Sequence, residues 1–183
     1  ALPISRGPPG DRCARRQPGA RRDPSRTARP RAARRDDAGH ERLRRVPHDA
    51  REPLQLRCSD GSRHLGIVTD LGHISSHVVE SLTGCHALLL EANHDPELLQ
   101  ASAYPSFLKQ RVAGPWGHLA NHAAAELLER VKHDQLNYVQ AAHLSERNNT
   151  PELARASLSR ALGCHPLDID VADPVIGSAW MNV

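Results

Sequence analysis

The chain has 183 residues, a length that favours one domain, and a formal net charge of +3. No apolar run approaches the ~20 residues that a membrane span needs, so the composition argues against a membrane-spanning protein. The four cysteines lie at positions 13, 58, 85 and 164 without a Cys-x-x-Cys pair. This spacing indicates neither a zinc ribbon nor a disulfide framework, and it predicts a protein of the reducing cytoplasm.

The average charge hides two different segments. Residues 1–45 contain 14 Arg and no Lys against 5 acidic residues, a net charge of +9, and no aromatic residue. Residues 46–183 carry 10 basic and 16 acidic residues, a net charge of −6, and all five aromatic residues. A segment rich in Arg, Pro, Gly and Ala buries too little apolar surface to offset its ordering entropy. We therefore expect residues 1–45 to be disordered and residues 46–183 to form the folded domain.

Three interpretations of the Arg-rich segment can be compared. A basic arm can bind nucleic acid by neutralising phosphates. The Arg runs without Lys at 14–16 and 32–35 are also typical of a GC-rich coding region read out of frame, which is the interpretation that we favour. A mitochondrial transit peptide suits Arg without Lys, but Asp36, Asp37 and the many prolines oppose the amphipathic helix that it needs.

From residue 46 onward the chain alternates between strand and helix signals. In chain order the predicted elements are strands at 54–58 and 65–69, a helix at 74–82, a strand at 87–91, helices at 96–103 and 121–132, a strand at 136–142, a helix at 151–162 and a strand at 166–171. Asp95 is the expected N-cap of the helix that begins at Pro96. Three successive leucines in strand 87–91 suit a sheet that is buried on both faces. The alternation predicts a layered α/β domain.

Residues of the metal-ligand type stand at the ends of these strands. Asp70 follows strand 65–69, His143 follows strand 136–142, and His48 precedes strand 54–58. Neutral imidazole with carboxylate is a ligand set for zinc or manganese. Each residue taken alone also has an ordinary interpretation, as a helix N-cap, a strand cap or a loop histidine. Most of the other histidines are expected to be surface residues.

Six blocks, in order, carry a more specific signal. They read VPHDAREP at 46–53, GIVTDLG at 66–72, LEANHD at 90–95, LKQR at 108–111, GHLAN at 117–121 and AHLSERNN at 142–149. This series resembles the YycJ/WalJ branch of metallo-β-lactamase-fold hydrolases, a superfamily that includes ribonuclease Z and the phosphodiesterase PhnP. The resemblance implies the C-terminal half of an αββα sandwich, with a metal site at one edge and phosphodiester hydrolysis of DNA or RNA as the activity.

The resemblance also implies roles for particular residues. His48, Asp70 and His143 match ligands of two divalent ions, zinc or manganese, and Asp70 matches the carboxylate that bridges them. His118 matches a catalytic histidine beside the scissile phosphate, although Gly117-His118 could instead begin a helix. Glu91 and Asn93 could orient ligands. Ser145, Asn148 and Asn149 suit turns and caps equally well.

One defining motif of the family, His-x-His-x-Asp-His, is absent from the sequence. The nearest segment, DDAGH at 36–40, has the wrong spacing and too few ligands. Since that motif supplies four of the seven protein ligands in the family, we expect this polypeptide to bind metal weakly and to be inactive. The alternative is a catalytically dead remnant that binds nucleic acid nonspecifically through its basic arm. A lactamase or thioesterase is a weaker alternative, because His118 has a ribonuclease-like context.

Overall fold

The computed structural model describes residues 55–178 and 183, together with the backbone of a strand at Leu43–Val46. Residue His48 and most of the Arg-rich segment lie outside the described residues. Strand pairing begins at Leu43, three residues before the predicted boundary at residue 46. The proposed disorder of residues 1–45 and the division at 46 stay predictions for the rest of that segment.

The described strands form one mixed sheet in the same order as they occur in the chain. Its strands are β1 Leu43–Val46, β2 Gln55–Ser59, β3 His64–Val68, β4 Ala87–Glu91, β5 Tyr138–Ala142 and β6 Asp170–Val171. β1, β2 and β3 pair antiparallel, whereas β3, β4, β5 and β6 pair parallel. The parallel half needs crossover connections, and helices supply them. The sheet and its helices confirm the predicted α/β class.

Five helices and one short 3-10 helix lie among the described residues. They are α1 Ser76–Leu82, α2 Pro96–Ala101, α3 Ser106–Ala113, α4 Asn121–Val131, α5 Pro151–Leu162 and the 3-10 helix Pro166–Asp168. The side chains of Ser75, Asp95 and Thr150 accept hydrogen bonds from backbone N–H groups in the first turns of α1, α2 and α5. Gly163 ends α5 in the left-handed conformation with φ 68°, which favours glycine.

Most predicted elements agree with the structure to within two residues at each end. The predicted strand at 166–171 is wrong over its first half, because Pro166 begins a 3-10 helix and only Asp170–Val171 pairs with the sheet. The side chain of His165 accepts from the N–H of Leu167, which closes that turn locally. Strand β1 and helix α3 were not predicted from the sequence.

The core lies between the parallel strands and helices α1, α4 and α5. Leu88 and Leu90 of β4 are both buried and stand on one face of the sheet. Gly66 is their neighbour in β3, and a Cβ there would lie 2.7 Å from a Leu88 methyl and 2.8 Å from a Leu82 methyl. The glycine therefore lets α1 approach the sheet closely. None of the helices described is long and apolar enough to cross a membrane.

We expect Leu128→Ala to lower the free energy of unfolding by about 2–5 kcal/mol, because Leu128 on α4 is fully buried in this core. Leu167→Ala is the matched control, since that leucine is 62% exposed and its loss is expected to cost less than about 0.5 kcal/mol. Urea unfolding followed by circular dichroism measures both changes. Equal losses in the two variants would contradict the proposed location of the core.

Candidate metal centre

Three neighbouring parallel strands bring polar residues to one edge of the sheet. Asp70 lies two residues after β3, Glu91 is the last residue of β4, and His143 directly follows β5. Because these strands are adjacent and parallel, their carboxyl ends meet at the same edge. The sequence-based expectation that strand ends bring Asp70 and His143 together agrees with this arrangement.

The backbone turns sharply at two of these positions. Asp70 and His143, with φ 58° and 56°, are the non-glycine residues with positive φ in the part of the chain that the structure describes. This left-handed conformation costs free energy for a residue with a Cβ, so the surroundings must hold it. The buried side chain of Gln55 bonds both the N–H and the carbonyl of Thr69. The amide of Asn93 donates to the carbonyl of His143 at 2.9 Å.

The side chains of Asp70, His118 and His143 converge. Asp70 Oδ1 lies 3.7 Å from His118 Nδ1 and 4.0 Å from His143 Nδ1. One potential ligand atom from each residue lies within 4.8 Å of the other two. The structure thus places His118 in the same cluster as two of the predicted ligands, while His48 lies outside the described residues.

The buried carboxylate of Glu91 contacts both histidines of this cluster. Its side chain is fully buried, and Oε1 lies 2.9 Å from His118 Nδ1 and 2.8 Å from His143 Nδ1. The other oxygen, Oε2, accepts from the backbone N–H of Leu71 at 2.7 Å and of Leu119 at 3.3 Å. One carboxylate therefore connects the three loops that carry Asp70, His118 and His143.

These contacts shift the proton affinities of the groups involved. Burial acts to raise the pKa of Glu91, but the hydrogen bonds from His118, His143 and Leu71 outweigh it and leave the pKa below the ordinary value. The hydrogen bond to Glu91 raises the pKa of His143 above its ordinary value, against the opposing effect of burial. Glu91 is therefore a carboxylate near neutral pH, and His143 holds its Nδ1 proton against it.

The donor set fits a divalent metal ion. A neutral imidazole that donates its Nδ1–H to a carboxylate keeps the lone pair on Nε2, which is the usual arrangement of metal-binding histidines. His118 and His143 both have such a contact with Glu91, and Asp70 offers carboxylate oxygens with half of its side chain exposed. Imidazole with carboxylate suits zinc and manganese.

A second layer of amides fixes the loops around the cluster. Asn149 donates to the carbonyl of Ala92 at 2.7 Å, and its side chain exchanges two hydrogen bonds with the side chain of Asn121. The backbone of Asn93 accepts from the N–H of Ser145 and donates to the carbonyl of Leu119. These polar residues hold the ends of β4 and β5 and the start of α4 in one arrangement.

Comparison with known proteins adds evidence about the family. No protein-family model matches the chain. The chain is 38% identical over 117 residues to exodeoxyribonuclease YycJ of Bacillus anthracis, a match that covers 64% of this chain and 44% of that protein. It is 32% identical over 126 residues to exodeoxyribonuclease WalJ of Streptococcus pneumoniae, covering 69% of this chain and 47% of that protein. The chain thus spans less than half the length of these relatives.

A solved structure shows the fold. The metallo-β-lactamase fold protein YhfI of Bacillus subtilis matches with a TM-score of 0.50 at 13% identity, over 75% of this chain and 47% of that one. Over the matched part, the chain thus shares its sequence with the YycJ and WalJ exodeoxyribonucleases and its fold with a metallo-β-lactamase fold protein. These similarities confirm the resemblance and the partial fold that the six sequence blocks predicted.

The sequence alone indicates only that Glu91 could orient ligands, whereas the structure shows four hydrogen bonds to its carboxylate. The available signal was its place, because a carboxylate that ends the apolar strand Ala87–Glu91 must be buried with partners or be neutral. Its two histidine partners lie 27 and 52 residues away in the chain, so no local pattern identifies them.

We expect the raised pKa of His143 to be visible in the pH dependence of folding without metal. A group whose pKa is raised in the folded state contributes stability that is complete below its unfolded pKa, near 6.5, and is lost as the pH rises through the folded pKa. Burial lowers the pKa of His64, His86 and His94, so these histidines act in the opposite direction. The effect of His143 must therefore be isolated by a difference.

The measurement compares wild-type protein with His143→Gln in EDTA. The difference in unfolding free energy between the two is expected to be larger at about pH 5.5 than at about pH 8.5. Histidines that do not contact Glu91 or its partners, such as His64 and His86, contribute equally to both proteins and cancel. A difference that grows with rising pH would contradict the hydrogen bond between His143 and Glu91.

Proposed function

We propose that this domain contributes Asp70 and His143 to a site for divalent metal ions, and that the site serves phosphodiester hydrolysis in nucleic acid. The observation that carries the proposal is the cluster of Asp70, His118 and His143, whose ligand atoms lie within 4.8 Å of one another. Two relatives that share its sequence over part of their length are named exodeoxyribonucleases, which supports a DNA substrate. His48 is proposed as a further ligand on the resemblance alone.

Each residue has a role that its chemistry suits. When bound, a pair of divalent ions lowers the pKa of a water nucleophile and stabilises the charge of the leaving group. Asp70 offers two carboxylate oxygens beyond the end of β3, so it would help to hold the ions. Glu91 is a positioning residue, because it holds the Nδ1 atoms of His118 and His143 in one place.

His118 is proposed as the catalytic histidine that faces the scissile phosphate. Its Nδ1–H is directed to Glu91 Oε1, which leaves Nε2 free to face the leaving oxygen and to donate a proton to it when the ring is in the imidazolium form. Its 3.7 Å separation from Asp70 also allows the alternative that it binds an ion directly. Metal content distinguishes the two roles, because only a ligand is required for the ion to bind.

We expect Asp70→Asn and His143→Ala each to weaken zinc binding at least about tenfold, because each removes a proposed ligand. His118→Ala is expected to leave zinc affinity near that of the wild-type protein. The matched control is His77→Ala, which removes an exposed histidine of α1 outside the cluster. Isothermal titration calorimetry and metal analysis of dialysed protein measure these effects.

Two outcomes would contradict this assignment. Unchanged zinc affinity in Asp70→Asn would remove the proposed site, and a loss in His118→Ala equal to that in His143→Ala would make His118 a ligand.

Activity is expected to depend on ligands that these 183 residues lack. Because His-x-His-x-Asp-His is absent from the sequence, we propose that this polypeptide binds metal weakly and cleaves no DNA measurably with added zinc or manganese. A chain joined to an N-terminal half with that motif is expected to gain activity, and Asp70→Asn is expected to abolish it. Cleavage by the 183-residue chain that survives Asp70→Asn would contradict this proposal. The cytoplasmic location stays a prediction.

A further inference from the structure

Helix α3 and its flanks, residues 104–116, form a segment that we call the α3 arm. The arm contains most of the aromatic residues that the structure describes. Of the four Phe, Tyr and Trp residues that the structure describes, three lie in the arm: Tyr104, Phe107 and Trp116. Phe107 is 72% exposed and Trp116 is 62% exposed. The arm therefore presents two large aromatic side chains to solvent.

Folding does not explain these aromatic residues. No residue of α3 is buried, so the helix contributes little to the core. Leaving large aromatic side chains in water forgoes the stabilisation that their burial would give. Two exposed aromatic side chains on one short segment are therefore a candidate binding surface.

The arm is fixed directly against the metal centre. The carbonyl of Val112 accepts from the N–H of His118 at 2.9 Å. A Cβ on Gly72, two residues after Asp70, would lie 2.2 Å from the carbonyl oxygen of Pro115, so only glycine allows this close approach of the two backbones. Trp116 stands edge-on to the ring of His73, with ring centroids 6.3 Å apart. The arm thus borders the loops that carry Asp70 and His118.

Positive charge accompanies the aromatic residues on α3. Arg111 lies four residues after Phe107, which places the two side by side on the helix surface, and it has no ion pair among the described residues. Lys109, on another face of α3, lines a cavity of about 820 Å³ that also borders His118. These cations stand out because residues 46–183 have a net charge of −6.

We propose that the α3 arm is a stacking platform for a single-stranded end of nucleic acid. Phe107 lies in the first turn of α3, and Trp116 lies three residues beyond its last residue, Ala113. Bases stack on exposed aromatic rings without sequence preference, and Arg and Lys neutralise the adjoining phosphates. The inference deepens the proposed function and rests on it for the identity of the ligand.

Single strands fit this surface better than duplexes. In a duplex the base faces are already stacked on each other, whereas an unpaired end offers free faces to Phe107 and Trp116. Pairing of two protein copies through the same aromatics is the competing occupant. Arg111 favours the polynucleotide, because a second copy would bring a like charge to the same face.

The first experiment uses Trp116 as its own reporter. The chain has two tryptophans, so Trp180→Phe leaves Trp116 as the remaining one. In EDTA, titration with a single-stranded oligothymidylate is expected to quench the fluorescence of this variant through base stacking. A duplex of equal length is expected to quench it much less. Equal quenching by both, or none by the single strand, overturns the proposal.

The second experiment measures affinity by fluorescence anisotropy in EDTA at about 0.3 M salt, where nonspecific binding through the Arg-rich segment is weakened. Trp116→Ala and Phe107→Ala are each expected to weaken oligothymidylate binding at least about fivefold, and Trp116→Phe to restore most of it. Ile176→Ala is the matched control, since that residue is 84% exposed and lies outside the arm. Losses below twofold in both aromatic variants overturn the proposal.

Light scattering on the same samples tests whether the arm pairs two protein copies instead of binding single-stranded nucleic acid. Suppose that the wild-type protein is a dimer, that Trp116→Ala dissociates it, and that oligonucleotide affinity is unchanged. This result overturns the platform and assigns the arm to self-association. Because the binding experiments contain EDTA, their result does not depend on the metal site. Weaker oligothymidylate binding in the aromatic variants supports the platform even if zinc titration refutes the metal site. If zinc titration supports the metal site but the aromatic variants bind oligothymidylate as wild-type protein does, only the platform is refuted.

Discussion

The buried carboxylate of Glu91 is the constraint on which the cluster of Asp70, His118 and His143 depends. An ionised carboxylate away from water is costly unless hydrogen bonds compensate for the lost hydration. Here the compensation comes from four donors, two on each oxygen. Those donors belong to three different loops, so satisfying one charge fixes the relative positions of all three. The charge that is costly to bury is therefore also what assembles the site.

The sheet explains why the carboxylate lies at this position. β4 has a parallel neighbour on each side, so residues that follow β3 and β5 reach the end of β4 from both directions. Successive side chains of a strand point to opposite faces. Leu88 and Leu90 thus face the helices, while Glu91, the last residue of the strand, belongs to the opposite face. The left-handed conformations of Asp70 and His143 complete the approach of the two loops.

The sequence predicted those features that local patterns determine. The position of Asp70 and His143 at strand ends was predictable because they follow apolar strands, and the strand Ala87–Glu91 and the helix Pro151–Leu162 were predicted to the residue. Helix α3 was missed because none of its residues is buried, so it shows no apolar periodicity to detect. The contacts of Glu91 could not be predicted because they join residues far apart in the chain, which only the sheet brings together.

The protonation of the two imidazoles tests the organising role of Glu91 most directly. Long-range proton–nitrogen NMR correlation identifies which ring nitrogen of each histidine carries the proton. In metal-free protein at about pH 8, we expect His118 and His143 to carry it on Nδ1, with downfield Nδ1–H signals that Glu91→Gln shifts or removes. Protons on Nε2 of both histidines, with signals unchanged in Glu91→Gln, would contradict the account.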